Sequence, residues 1–386
     1  MAKAMQQQAD IQTLNAMARA AIVGNSVKME QSIFNKTVNI TNENVLNIAP
    51  RYAGLVLGFI VEIEANLANS GGSTANRTQF GTANLVQQVR FDDLSNYTRV
   101  QVPGWYLALL NTIRQGFGFG GSYANAIPMN YGDNFGVYAG PATIAAAGNA
   151  NVRQVYYVPL AYSNTDLRGA IYASIVNATM NLQITLNQAP GFVAGNPLNA
   201  IYGGAGTNVA YGNGGNVTVN VYQVYLDQLP RTEQGSVILP PLDLNMIYDL
   251  KQTTYSGVTA GQDFPMAYSN FRQFLSTVAV YDNAGVFNAG TDINYWALQA
   301  ANFANIFKVS PKYSALKTRS AIMSDLPLGT YLFSSRDIPI NTINYGNMEL
   351  VINPVTAGAG ARVLVGYESF GLVNQLAGAS SLGPLG

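Results

Sequence analysis

Glu62 and Glu64 stand two residues apart and Asp92 and Asp93 are adjacent, the kind of spacing from which one carboxyl can serve as acid and another as base or nucleophile in glycoside cleavage. Nothing else in the sequence builds a sugar cleft around them, and Asp is a common turn former. A solvated strand face and a turn are therefore the favoured readings. The stretch GFGFGG at residues 116–121 has the glycines of a phosphate-cradling loop. Such a loop follows a strand and opens a helix, whereas this one follows the helical run Trp105–Gln115, has no lysine after it, and reads as a surface loop. Asn-x-Ser/Thr triplets begin at Asn35, Asn39, Asn76, Asn96, Asn177 and Asn216, and are better explained by an Asn- and Thr-rich chain than by glycans. The 23 tyrosines, among them Tyr156, Tyr157, Tyr222 and Tyr225, read as strand formers at half-buried positions and interfaces.

The absent residue types exclude more. The 386 residues hold no histidine and no cysteine, which removes a Ser-His-Asp triad, a His-ligated zinc, a thiolate nucleophile and a disulfide frame. No cofactor and no metal are expected. Twenty basic residues balance twenty acidic ones, so no long-range field draws the chain to a nucleic acid backbone, and direct sequence-specific nucleic acid binding is not expected. Charged residues are only 10% of the chain, against roughly 25% in a typical soluble protein. Such a surface suits a protein covered by neighbours, because a free monomer relies on charge for solubility. The longest apolar run, Ala53–Val61, is about half of what a spanning helix needs, and the first 23 residues lack the plan of a secretion signal.

The elements that would position these residues are mostly strands. Leu55, Leu57, Phe59, Val61, Ile63, Ala65 and Leu67 alternate with Glu62, Glu64 and Asn66, which predicts a long strand with one buried face. The same period recurs at Met180–Leu186, Val217–Val221 and Val363–Tyr367. Gly- and Asn-rich segments at 116–136, 140–151 and 188–216 read as long loops between strands. Residues 2–23 instead carry a polar stripe (Gln8, Gln12, Asn15, Arg19) opposite Ile11, Leu14, Ala18 and Ala21, which predicts an amphipathic helix.

Sliding the chain over itself by 189 sets Leu55–Val61 on Leu244–Leu250 and Leu85–Asp93 on Phe274–Asp282. Trp105 and Trp296, 191 apart, each open a helix-like segment, and a two-residue change in one loop reconciles them with that frame. A third echo sets Met180, Leu182 and Ile184 on Met348, Leu350 and Ile352. The repeat implies two β units, residues 38–235 and 236–370, after a helix and arm at 1–37 and before a flexible tail at 371–386. Leu239–Pro241 mark the joint.

Several strings carry a resemblance. PATIAA (Pro141–Ala146), VPLAYS (Val158–Ser163) with Thr165, Asp166 and Leu167, YLDQLP (Tyr225–Pro230), FNAGTDINY (Phe287–Tyr295) and GYES (Gly366–Ser369) with Phe370 resemble the major capsid protein of the tectiviruses, tailless icosahedral bacteriophages with a membrane inside the shell. The glycine-rich loop 116–126 and both termini depart from that pattern. The resemblance implies an all-β double jelly roll, two eight-stranded sandwiches side by side with short inserted helices. It also implies a homotrimer, with neighbouring trimers, vertex (penton) and minor capsid proteins and the internal viral membrane as partners. The expected location is the virion shell, assembled in the host cytoplasm. No catalysis is expected. The termini are expected to face the membrane or neighbouring capsomers, which makes Lys3, Ile11, Leu14, Ala18, Arg19 and Ala21 the candidate contact residues. The competing readings are a two-domain β-sandwich surface protein that binds carbohydrate and a carboxylate glycosidase.

Overall fold

The computed structural model describes residues 2–115, 140–174, 179–191, 199–287, 291–300, 303–322, 326–334, 340–342 and 347–372. Its strands of four or more residues fall into two sets of eight. The first is β1 (Val27–Asn39), β2 (Val45–Ile48), β3 (Leu55–Asn69), β4 (Val86–Asp92), β5 (Thr98–Val102), β6 (Asn149–Pro159), β7 (Asn181–Leu186) and β8 (Asn216–Asp227). The second is β9 (Met246–Ser256), β10 (Phe264–Ala267), β11 (Gln273–Asp282), β12 (Ile293–Ala300), β13 (Phe303–Val309), β14 (Thr330–Ser334), β15 (Met348–Pro354) and β16 (Arg362–Leu372).

Both sets are wired alike. In the first, β1-β8-β3-β6 form one sheet and β2-β7-β4-β5 face it. In the second, β9-β16-β11-β14 and β10-β15-β12-β13 repeat that order. Each is a jelly-roll sandwich. The two are joined by a parallel pairing of β5 with β9, Leu250 opposite Val100 and Lys251 opposite Gln101, so that one nine-stranded sheet runs through both.

The topology corrects the repeat's register. β3 corresponds to β11 and β1 to β9, so the slide that set Leu55–Val61 on Leu244–Leu250 is two strands out of step, and the one that set Leu85–Asp93 on Phe274–Asp282 is one strand out. Strands of similar alternation match equally well in either frame. The echo of Met180–Ile184 in Met348–Ile352 does fall on true counterparts, β7 and β15. Trp296 opens no helix; it lies inside β12. The real counterparts among the helices are α2 (Gly104–Gln115), which follows β5, and α3 (Pro311–Ile322), which follows β13.

Two further expectations change. The helix α1 (Ala2–Asn25) is present, but β1, assigned to an arm outside the first unit, pairs with β8 from Val27 to Asn39. The segment 188–216 is not all loop: Tyr202–Gly203 pairs with Asn76–Arg77, and Val209–Tyr211 pairs with β3. The expected loop 116–136 and most of the tail 371–386 lie outside the described residues. Among the described residues, no helix is long and apolar enough to cross a membrane.

Candidate assembly surfaces and the seam between the sandwiches

In β3 the residues alternate between core and surface from Phe59 onward, but β11 and β16 are buried on almost every residue. Their second face is covered by α2, whose sequence GWYLALLNTIRQ is apolar nearly all round, as a helix enclosed on every side should be. Gly104 opens it because there is no room for more: a Cβ would stand 2.5 Å from the Ala83 carbonyl oxygen. Tyr106 then lies flat on Gly366 of β16, where a Cβ would fall 2.1 Å from its ring. Tyr248, Leu250, Leu275, Val278, Leu364 and Phe370 of the second sandwich thereby join the core of the first.

Several polar groups buried in or beside this seam are paired, which offsets part of their desolvation. Glu368 accepts hydrogen bonds from the hydroxyls of Tyr248 (2.6 Å) and Ser276 (2.5 Å), and the Arg114 guanidinium lies 3.8 Å away. Burial alone would lower the pKa of Arg114, but the surrounding Tyr248, Glu368 and further tyrosines leave it raised. Tyr97 of the first unit donates to Asp249 (3.1 Å) and accepts from Arg272 (2.7 Å), both in the second unit. Lys251 donates to the Thr98 carbonyl, and burial pulls its ammonium down to about 8.

The carboxylates that invited catalysis have structural partners. Glu62 and Glu64 both pair with Arg153 on the outer face of the first sheet. Asp92 accepts from Arg90 (3.1 Å) and from Thr98 (2.5 Å). Asp93 holds the turn to β5, accepting from the backbone of Ser95 (2.9 Å) and Tyr97 (3.1 Å), and it pairs with buried Arg99 at 2.7 Å. Burial raises its pKa, but the Arg99 charge and the Ser95 bonds prevail and hold the carboxyl below its usual value. Arg99 spends a second donor on the Gly169 carbonyl (2.7 Å).

The N-terminal candidates do not act as one stripe. Ile11 and Leu14 are 39% and 61% exposed, Ala21 is half-buried, and Ala18 is buried. Arg19 is engaged by Asp243 in the chain between the sandwiches, its Nε 2.6 Å from Oδ2. The side chain of Lys3 lies outside what the structure describes. Sequence reasoning missed Asn15, placed on the polar stripe but buried: its amide donates to Asp243 (3.0 Å) and its oxygen caps the Leu242 N–H (2.8 Å). Two turns after Asn15, Ile22 is fully buried against Leu55, Leu57, Val224 and Leu226. The i, i+4 spacing of Asn15 and Arg19 was the available signal, since two neutral-to-basic groups one turn apart can grip one buried carboxylate.

Comparison with known proteins places this architecture. The chain is 40% identical over 372 residues to the major capsid protein P3 of Enterobacteria phage PRD1, covering 95% of this chain and 93% of that one. Residues 2–229 match the family model of the P3 major capsid protein N-terminal part, and residues 245–383 match that of its C-terminal part. The chain belongs to the P3 major capsid protein family. Among solved structures, a chain of Sulfolobus Turreted Icosahedral Virus superposes with a TM-score of 0.63 at 14% identity, covering 91% of this chain and 95% of that one. The Faustovirus major capsid protein superposes with a TM-score of 0.52 at 9% identity, covering 90% of each. At such identities these share the fold, the double jelly roll. As a P3-family major capsid protein the chain is a building block of a virion shell, and its functional sites are the faces it offers to neighbouring capsid subunits. The carbohydrate-binding reading finds no support in these relatives.

Proposed function

We propose that this P3-family protein works without catalysis, as a homotrimer whose six sandwiches form a pseudo-hexagonal block, and that such blocks tile an icosahedral shell around an internal membrane. The observation that carries this reading is the seam. A sheet shared by both sandwiches, with α2 wedged against it, makes the chain one stiff body with two lobes of like wiring, and three such bodies present six comparable sides to their neighbours. The sparse charge agrees, since large parts of the surface are suited to being covered. Light scattering should find three chains per particle at every practical concentration. A stable monomer at micromolar concentration would sink the proposal.

Vertex and minor capsid proteins complete the set of partners in this reading, and the N-terminal helix reaches the neighbouring capsomer or the lipid surface. Exposed Ile11 and Leu14 support that role; Ala18 and Arg19 are already committed within the chain. Deleting residues 2–13 should therefore leave a folded trimer, because Asn15, Arg19 and Ile22 remain, while shells fail to close or lose their membrane. Normal infectious particles from that variant would refute the role. Deletion through residue 23 is a different experiment, since it strips Ile22 from its cluster and uncovers Asp243.

A further inference from the structure

α3 is built inside out. Its side toward its own sandwich is Pro311, Ser314 and Thr318, while Tyr313 and Leu316 are 55% and 66% exposed, flanked by exposed Lys312 and Lys317. A helix in a globular protein normally turns its apolar stripe inward. The repeat explains what that face is for. Placing Val86 at the start of β4 on Ile293 at the start of β12 sets, in the same frame, Tyr106, Ala108 and Leu109 of α2 on Tyr313, Ala315 and Leu316 of α3. In α2 all three of those residues are buried, and Tyr106 lies on the β9-β16-β11-β14 sheet of the next sandwich in the chain. Among the described residues, none covers Tyr313 and Leu316 of α3.

The counterpart of the sheet that α2 covers is the outer face of β1-β8-β3-β6. That face carries half-buried Ile60, Val155 and Tyr157, which line a cleft of about 620 Å³. Glu30 on that face pairs with Lys28, Glu62 and Glu64 share Arg153, and Arg114 of α2 also lines the cleft, so charges there are balanced and what the cleft offers α3 is its apolar side chains. Its apolar content is lower than that of the sheet under α2, as befits a contact made between chains that also exist apart.

We infer that α3 of one chain docks on the outer β1-β8-β3-β6 face of a second copy, with Tyr313 and Leu316 seated on Ile60, Val155 and Tyr157, repeating between chains the contact that α2 makes within one. Donor and acceptor are different surfaces, so the contact is heterologous and propagates around a ring until it closes. The inference rests on the trimer proposed above and names the surfaces that hold it together.

Replacing Leu316 with the photo-crosslinker benzoylphenylalanine tests it in the full chain. Irradiated trimer mixed from isotopically light and heavy chains should yield crosslinks between chains, to peptides of β3 and β6 containing Ile60 or Tyr157. As a second arm, Leu316→Asp should weaken trimer association by about thirtyfold or more, the scale of losing an anchor at an interface centre. Its far-ultraviolet circular dichroism should stay unchanged, since the side chain is exposed in the single chain. Crosslinks that land elsewhere in an intact trimer, or an unchanged dissociation constant for Leu316→Asp, overturn the docking and leave the trimer standing. A wild-type chain that stays monomeric overturns both.

Discussion

Gly366→Ala should destabilise the subunit by about 3 kcal/mol, the upper end of what overpacking a closed core costs. The added methyl would stand 2.1 Å from Cε2 and 2.4 Å from Cδ2 of Tyr106. Neither side can yield cheaply: the Tyr106 ring is fully enclosed, and β16 is held between β9 and β11 along most of its length. Urea midpoints of four proteins would measure it: wild type, Gly366→Ala, Tyr106→Ala and the double variant. Because the two residues compete for one space, the double variant should lose at least 1 kcal/mol less than the two single losses together. Strict additivity would show that α2 does not press on β16 as described.

Trp296→Ala should cost a further-ranging 3–5 kcal/mol, roughly the range for deleting a buried large aromatic. The indole has no solvent exposure and sits between Tyr331 (4.9 Å between ring centroids) and Phe333 (5.5 Å) in the core of the second sandwich. Phe59→Ala, which strips a ring packed at 5.4 Å on Phe91 in the first core, should lose a similar amount. Leu14→Ala, on the exposed side of α1, should change stability by no more than about 0.5 kcal/mol. Equal losses at Trp296, Phe59 and Leu14 would mean that core and surface have been confused.

Much of this architecture was legible in the residues because water contacts one face of many strands. The alternation from Leu57 to Leu67 announced β3, and the period around Val217 announced β8. The duplication was legible too, but its register was not, since it depends on which strands lie beside one another and strands of one period are interchangeable on paper. Trp296 was drawn to Trp105 by rarity alone, although one lies in a strand and the other opens a helix. The seam escaped for a related reason. Buried on both faces, β11 and β16 lose the period that marks a half-exposed strand, and the apolar run of α2 reads the same whether it caps its own sandwich or wedges between two. In α1 the polar stripe was read as solvated, yet Asn15 and Arg19 face Asp243, a partner more than two hundred residues away that no local pattern can indicate. The departure of Tyr313 and Leu316 from an inward stripe becomes visible only once burial is known.

The neighbours in each sheet also set the order in which this chain can acquire its structure. β1 pairs with β8, Val27 opposite Asp227, and β9 pairs with β16, Met246 opposite Leu372, so each sandwich is closed by its own last strand. Contacts of such long sequence separation make folding slow, because the chain entropy of closing a large loop is lost before the pairing rewards it. On a ribosome the first sandwich has to wait for β8 to emerge, and α1 cannot settle until Asp243 follows. The outer face of β1-β8-β3-β6 therefore forms only after Asp227 has emerged, while the second sandwich is still to be made. α3 is made later still, at Pro311–Ile322, so a growing chain gains the acceptor face of the docking proposed above before it gains the helix that would seat on another copy.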